Sequence, residues 1–119
     1  MDKKLQDSEL KVMNVIWREG EATAKHIAEV LGAEEGWNVN TTYTLIKRCI
    51  EKGAVKRSEP NFVCRALVKK EEVQRAEADA LIGKLFDGSA DQLFAALLGS
   101  RKLSEGEIAK LREMIDELE

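Results

Sequence analysis

Residues Asn38–Lys52, NVNTTYTLIKRCIEK, predict one short helix with two different faces. Small and apolar side chains recur at helical spacing and predict a buried face formed by Thr42, Leu45, Ile46, Cys49 and Ile50. The opposite face has amide, hydroxyl, phenol and cationic groups, with no carboxylate before Glu51; its members are Asn40, Thr41, Tyr43, Thr44, Lys47 and Arg48. Such groups contact phosphates and base edges, whereas carboxylates repel phosphate. This face is therefore typical of a helix that binds the major groove of double-stranded DNA.

A β-hairpin is predicted directly after this helix. Gly53 suits the position that follows a helix, where φ is usually positive. Residues 54–58 and 62–67 read as strands, and residues 59–61, Glu-Pro-Asn, as the turn between them, because proline interrupts a strand ladder. The order of helix, strand, turn and strand indicates a recognition helix followed by its wing.

The charge of the chain is unevenly distributed. Residues 40–70 contain eight lysines and arginines but two glutamates, whereas the whole chain has a net charge of −3. A basic patch on an acidic protein favours contact with nucleic acid. Beyond the helix face, we expect four cations to contact DNA phosphates: Lys52, Lys56, Arg57 and Arg65. A solvated hairpin rich in lysine is the alternative interpretation.

Two amphipathic helices are predicted before the recognition helix. The first spans residues 8–18, ends at Gly20, has Asp7 or Ser8 as its cap, and buries Leu10, Met13, Ile16 and Trp17. The second begins after its cap Thr23 and ends at Gly32. Its predicted buried residues are Ala24, Ile27, Ala28 and Leu31. Three helices followed by a hairpin give the order of a winged helix-turn-helix. The fold class is thus mainly α with a small β-hairpin.

The linker between the second and third helices is predicted to be long. It covers residues 33–39, with Trp37 packed in the core and Val39 forming a single bridge to the sheet. Asn40 or Thr41 is then the expected cap of the third helix.

The chain after residue 69 has a different pattern. Three apolar stripes at helical spacing follow, and Ser104 with Glu107 forms a capping box for the last helix. A unit of this size barely makes a core of its own. We expect residues 1–69 to bind DNA and residues 70–119 to join two chains through Leu81, Leu85, Phe86, Leu93, Phe94, Leu97, Leu98, Ile108, Leu111 and Ile115. Packing of these stripes against the winged helix is the alternative.

Segments from both halves resemble the BlaI/MecI/CopY family of penicillinase repressors. The resemblance covers about residues 5–118 and rests on DSELKVMNVIW, GEATAKHIAEVL, WNVNTTYTLIKRCIEKGAVKR, FDGSADQLFAALL and KLSEGEIAKLREMI. It implies a dimeric winged-helix repressor that binds a palindromic operator, in which the C-terminal helices interlock. Family members tend to have a longer, more basic wing tip than the Glu-Pro-Asn of residues 59–61, and a Tyr and a Pro where this chain has Cys64 and Ala66.

The resemblance also implies how repression ends. In the β-lactamase branch, a membrane-bound sensor protease cuts the C-terminal domain at an Asn-Phe bond, and the matching place here is Ala96-Leu97. A sensor protease is therefore an implied partner, with cleavage expected within residues 95–102. The copper-responsive branch has a C-terminal CxC…CxC cluster, whereas this chain has no cysteine after Cys64.

Other classes of protein fit the sequence poorly. His26 is the sole histidine, and neither Cys49 nor Cys64 belongs to a metal-binding or redox motif, so we expect no catalytic residue, metal or cofactor, and two reduced structural thiols. The chain shows no secretory signal and no apolar run long enough for a membrane span, which favours a cytoplasmic protein without membrane insertion. A winged-helix adaptor that binds proteins instead of an operator is the second functional hypothesis.

Overall fold

The computed structural model describes residues 4–118, and its elements are mostly helical. In chain order they are α1 (Asp7–Glu19), β1 (Glu21–Thr23), α2 (Ala24–Glu35), α3 (Val39–Glu51), β2 (Val55–Ser58), β3 (Val63–Ala66), α4 (Lys70–Leu85), α5 (Ala90–Gly99) and α6 (Glu105–Glu117). The predicted fold class, mainly helical with a small hairpin, is confirmed. The chain divides into two compact units, and the division falls between Val73 and Gln74, inside α4, a few residues after the boundary predicted at residue 69.

The first unit has a core in which α1, α2 and α3 pack against one another. Each helix contributes its apolar face, and the predicted inner faces of α2 and α3 are confirmed, apart from the half-buried Ile50. On α1 the buried face differs from the prediction: Met13 and Ile16 are buried, Val12 and Val15 are buried in addition, and Leu10 and Trp17 are only half-buried. Val73 is the last buried residue of this unit.

Three antiparallel strands form the sheet, in the order β1-β3-β2. The predicted hairpin is β2 and β3, and the sequence analysis missed β1. Ala22 of β1 pairs with Cys64 of β3, which in turn lies opposite Arg57 of β2. The bridge predicted for Val39 is wrong, because Val39 is the first residue of α3 and is 57% exposed. Phe62 lies in the turn with a positive φ of 51°, so the second strand begins one residue later than predicted.

The helix ends differ from the prediction in ways that matter for the fold. Helix α1 is capped by Gln6, whose side chain forms a capping box with Glu9. Helix α2 has the predicted cap Thr23, but it continues through Gly32 to Glu35 and ends at Gly36, which has a φ of +72°. The connection to α3 is therefore residues 36–38, and a three-residue turn with a glycine is usual in a helix-turn-helix.

The second unit contains most of α4 and all of α5 and α6. Ser104 caps α6 and forms the predicted capping box with Glu107. No residue from Gln74 to Leu118 is buried in the single chain. Large apolar side chains are instead exposed, among them Leu85 at 64%, Leu98 at 52% and Ile115 at 57%.

Within residues 4–118, no helix has both the length and the apolar character needed to cross a membrane.

Candidate nucleic-acid interface

Helix α3 presents its polar face on the surface of the first unit. Its N-cap is Asn38, whose side-chain oxygen accepts a hydrogen bond from the Thr41 amide at 2.9 Å. The predicted caps, Asn40 and Thr41, thus lie two and three residues too late, and both residues are left on the exposed face. Burial of Leu45, Ile46 and Cys49 fixes the rotation of the helix. As a result, five of the six predicted contact residues of α3 are exposed: Asn40, Thr41, Thr44, Lys47 and Arg48.

Some cations of this surface form ion pairs with carboxylates of the protein, and others do not. Lys47 and Arg48 on α3, and Lys56 on β2, are exposed and have no ion-pair partner among residues 4–118. A cation that forms no ion pair within the protein can contact a phosphate without first leaving a carboxylate. These three cations are therefore the best placed for phosphate contact.

The N-terminal half of α3 borders an open groove of about 480 Å³. The groove is lined by the polar residues Asn38, Asn40, Thr41, Thr44 and Arg48 together with the apolar side chains of Trp37 and Leu45. The Thr44 hydroxyl donates a hydrogen bond to the Asn40 carbonyl oxygen at 2.9 Å. Because its proton is used within the helix, we expect Thr44 to contact DNA through its oxygen as an acceptor or through its methyl group.

Tyr43 connects α3 to the turn between β2 and β3. It is half-buried and meets the Phe62 ring edge-on, with ring centroids 5.9 Å apart and an interplanar angle of 87°. The Arg57 guanidinium lies 3.6 Å from the centroid of the same Phe62 ring. A chain of contacts therefore runs from α3 through the wing tip to β2. Sequence reasoning assigned Tyr43 to DNA alone and did not find Phe62.

A carboxylate holds the wing tip together. Glu59 Oε1 accepts a hydrogen bond from Arg57 Nε at 2.5 Å, and Glu59 Oε2 accepts one from the Phe62 amide at 3.3 Å. The hydrogen bond from Arg57, helped by the one from the Phe62 amide, lowers the pKa of Glu59 below its ordinary value. The carboxylate is therefore ionised at neutral pH and holds the Arg57 side chain within the wing.

Lys52, a predicted phosphate contact, lies at the C-cap of α3 in an ion pair with Glu9. The two charged atoms are 2.5 Å apart, and the Glu9 side chain is 2% exposed. The Lys52 ammonium also donates to the Lys4 carbonyl oxygen at 2.8 Å. Burial opposes the ionisation of Glu9. Hydrogen bonds from the backbone amide of Gln6 and from the Lys52 ammonium outweigh this effect and lower the pKa of Glu9. A phosphate contact by Lys52 competes with this pair and remains a prediction.

Arg65 lies on the sheet between two charged neighbours. It pairs in register with Glu21 of β1 on one side and Lys56 of β2 on the other. Arg65 Nε donates to Glu21 Oε2 at 2.5 Å, and both side chains are at least half exposed. Because an exposed pair of this kind contributes about 0–1 kcal/mol, it does not prevent Arg65 from contacting a phosphate.

The two cysteines are buried and free, as predicted for structural thiols. Burial raises the pKa of Cys49 to about 12 and that of Cys64 to about 11. Both thiols are therefore protonated and unreactive at neutral pH. His26, the sole histidine, contacts the Glu19 carboxylate at 2.9 Å on the surface. Residues 4–118 contain no group of His, Cys, Asp and Glu side chains arranged to hold a metal.

Comparison with known proteins gives the relatives of this fold. The profile of the family described as "Penicillinase repressor" matches residues 5–117. The methicillin resistance regulatory protein MecI of Staphylococcus aureus (strain N315) is 30% identical over 121 residues, which cover 98% of this chain and 98% of that protein. The penicillinase repressor of Bacillus licheniformis is 23% identical and covers 96% of this chain and 91% of its own length.

A solved structure resembles part of this chain. The solution structure of the DNA binding domain of the repressor BlaI has a TM-score of 0.54 and 29% identity, and the match covers 60% of this chain and 93% of that one. The resemblance inferred from the sequence segments is thereby confirmed. Because the family profile spans almost all of its residues, this chain belongs to the penicillinase repressor family.

Proposed function

We propose that this protein is a dimeric transcriptional repressor that binds a palindromic operator in the cytoplasm through α3. The observation that carries the proposal is the exposed face of α3, which has amide, hydroxyl and cationic groups and no carboxylate from Asn40 to Arg48. Asn40 suits recognition of adenine, and Thr44 suits contact with a thymine methyl group. Lys47, Arg48 and Lys56, which have no ion-pair partner among residues 4–118, suit the flanking phosphates.

The relatives support this proposal over an adaptor role. The matching solved structure is the DNA binding domain of a repressor, and the match covers 60% of this chain. A protein-binding adaptor has no reason to exclude carboxylates from one helix face, because its partner carries no regular array of phosphates. The proposed role is therefore that of a regulator, not of an enzyme.

The second unit supports the dimeric part of the proposal. A depression of about 360 Å³ is lined almost wholly by apolar side chains of α5, α6 and their connection: Phe94, Leu98, Leu103, Ile108, Leu111 and Ile115. Exposed apolar surface of this kind is stabilised by burial at about 25 cal/mol per Å². A second copy of the chain supplies a matching surface through two-fold symmetry. The predicted interface residues are proposed to lie in that dimer.

Dimerisation and operator binding depend on each other in this proposal. One winged helix contacts one half-site, and a dimer places the second α3 on the other half-site about one helical turn away. The linkage raises the effective concentration of the second winged helix, which is worth about 10²–10⁴ in affinity. A palindromic operator follows from the two-fold symmetry of the protein.

Proteolysis of the second unit is the proposed way in which repression ends, with a membrane-bound sensor protease as the partner. The stretch expected to break the helix was residues 95–102, but α5 continues to Gly99 and the connection to α6 begins at Ser100. The exposed connection, Ser100–Lys102, is the better site within that range. Mass spectrometry of the protein from induced cells tests this part: a cut chain is expected, and an intact chain released from DNA would contradict it.

Operator binding is tested by fluorescence anisotropy with a duplex from the region upstream of the gene that encodes this chain. A shuffled duplex of the same length is the reference, and a preference of at least about 10³-fold is expected. The Lys47→Glu variant places a carboxylate on the α3 face and should abolish this preference. The Lys110→Glu variant makes the same charge change on exposed α6 and should retain it. Equal binding of wild-type protein to both duplexes would contradict the proposal.

A further inference from the structure

The wing tip contains two hydrogen-bond donors that converge on one anionic group of the protein itself. Arg57 Nε and the Phe62 amide hold the two oxygens of Glu59, at 2.5 Å and 3.3 Å. A guanidinium together with a backbone amide is the donor set that proteins use for phosphate oxygens. The Glu59 carboxylate therefore accepts hydrogen bonds from donors that could bind a phosphate group in its place.

The site is open to solvent and only weakly closed by its own carboxylate. The Arg57 side chain is 45% exposed and the Glu59 side chain is 59% exposed. An exposed ion pair of this kind is screened by solvent and contributes little to stability, so another anion can displace the carboxylate. The Phe62 ring, 3.6 Å from the guanidinium and packed against Tyr43 of α3, fixes where Arg57 lies whichever anion it binds.

We propose that Arg57 and the Phe62 amide form a DNA phosphate site at the wing tip, and that Glu59 occupies it in the free protein and so weakens operator binding. The inference rests on the proposed function and deepens it, because it assigns Glu59 the role of an internal competitor for a backbone phosphate. When a phosphate enters, Arg57 exchanges one anion for another and the freed carboxylate must be screened by a cation. The wild-type wing therefore gains little net counterion release at this position.

The Glu59→Gln variant tests this role because it removes the charge and keeps the shape of the side chain. The single carbonyl oxygen of Gln can still accept from Arg57, while its NH2 group replaces the oxygen that accepts from the Phe62 amide. A dimer has two wing tips, so the variant should neutralise about two more phosphates, and the log–log salt slope should steepen by about 1.8. Its affinity advantage over wild type should then grow about tenfold as monovalent salt falls from about 200 to about 50 mM.

Two further variants separate the site from a general charge effect. Glu51 is the other glutamate within residues 40–70 and lies exposed at the end of α3. The Glu51→Gln variant removes the same charge, so an equal steepening in both variants would overturn the proposal. In an Arg57→Ala background, the gain from Glu59→Gln should vanish, and a gain that persists there would also overturn it.

The test distinguishes this inference from the function on which it rests. Each variant is measured by anisotropy on the same operator duplex, and thermal melting confirms that the wing substitution leaves the fold intact. If the wild-type chain binds no duplex, the proposed function fails and the inference fails with it. If the wild type binds and Glu59→Gln binds equally or more weakly, only the inference fails, because Glu59 then positions Arg57 without competing with phosphate.

Discussion

The Glu9 carboxylate and the Lys52 ammonium lie 2.5 Å apart and join the start of α1 to the end of α3. The pair is largely shielded, with 2% of the Glu9 side chain and 16% of the Lys52 side chain exposed. Glu9 also closes the capping box of α1 through the Gln6 amide at 2.7 Å. A charge pair at the N-terminus of α1 therefore connects this helix to the C-terminal end of α3.

Replacement of Lys52 by Met should lower stability before it affects DNA contacts. The substitution leaves the Glu9 carboxylate buried without its cation. The free energy of unfolding should therefore fall by up to about 3 kcal/mol, which is the lower end of the range for removing one partner of a buried ion pair. Urea unfolding measures the change. The matched control is Lys47→Met on the exposed face of α3, which should stay within about 0.5 kcal/mol of wild type. A stable Lys52→Met protein would show that the pair does not hold α3.

The same pair should make stability depend on pH. Because the pKa of Glu9 is lowered in the folded protein, its contribution is fully present above the unfolded-state pKa of about 4.3. It is lost as the pH falls through the lower folded-state pKa. The stability difference between wild type and Lys52→Met should therefore be largest near neutral pH and shrink under acid conditions. A difference that is constant from pH 7 to about pH 3 would exclude this linkage.

Tyr43 should act through both the wing and the DNA. In Tyr43→Phe the edge-on contact with Phe62 is retained and only the hydroxyl is lost, whereas Tyr43→Ala removes the whole contact. We expect Tyr43→Ala to lose operator affinity by about 1–3 kcal/mol and Tyr43→Phe to lose less. Binding to operator and to random DNA measures both variants. Equal losses on the two DNAs would remove Tyr43 from the residues that read sequence.

Lys56 should contribute to phosphate binding and not to base recognition. It is exposed on β2 and has no ion-pair partner among residues 4–118, so Lys56→Ala removes two phosphate contacts from a dimer and should flatten the log–log salt slope by about 1.8. Lys11→Ala is the control, since the Lys11 ammonium pairs with Glu35 at 3.1 Å on the first unit. An unchanged slope for Lys56→Ala would place Lys56 away from DNA.

Leu98 should be needed for association but not for folding of the single chain. It is 52% exposed, so Leu98→Glu adds a charge without burying it in the monomer. Sedimentation at micromolar concentration should give about twice the chain mass for wild type and one chain mass for the variant, with weaker operator binding. Gln92→Glu, an exposed polar position of the same helix, should remain dimeric. A monomeric wild-type protein would contradict the proposed dimer.

Local patterns predicted most of the fold. The inner face of α3 follows from helical spacing alone, and the capping box of Ser104 and Glu107 is a signal within four residues. Features that depend on distant partners were missed. Strand β1 has three residues and no periodicity, and its pairing partner Arg65 is 44 residues from Glu21. The cap of α3 is Asn38, which the sequence analysis placed in the linker and not at the start of the helix.

The sequence predicted which residue types form the candidate site, but it did not predict which of its cations form ion pairs within the protein. Lys47, Arg48, Lys52 and Arg57 are equivalent as cations in the sequence, but only the fold brings Glu9 to Lys52 across 43 residues. The Arg57–Glu59 contact is local, and a carboxylate two residues from an arginine in a turn could have indicated it. The role of Phe62 required the turn to be known, because its ring position depends on a positive φ at the wing tip.

Selection of duplexes from a random pool by the wild-type protein tests the proposed operator recognition most directly. A dimer that reads DNA through two copies of α3 should enrich an inverted repeat with half-sites about one helical turn apart. Substitution of Thr44 by Ala should change the preferred base within each half-site, while Lys110→Ala should leave the repeat unchanged. Enrichment of no sequence, or of an asymmetric site that Thr44→Ala does not alter, would contradict recognition of a palindrome by α3.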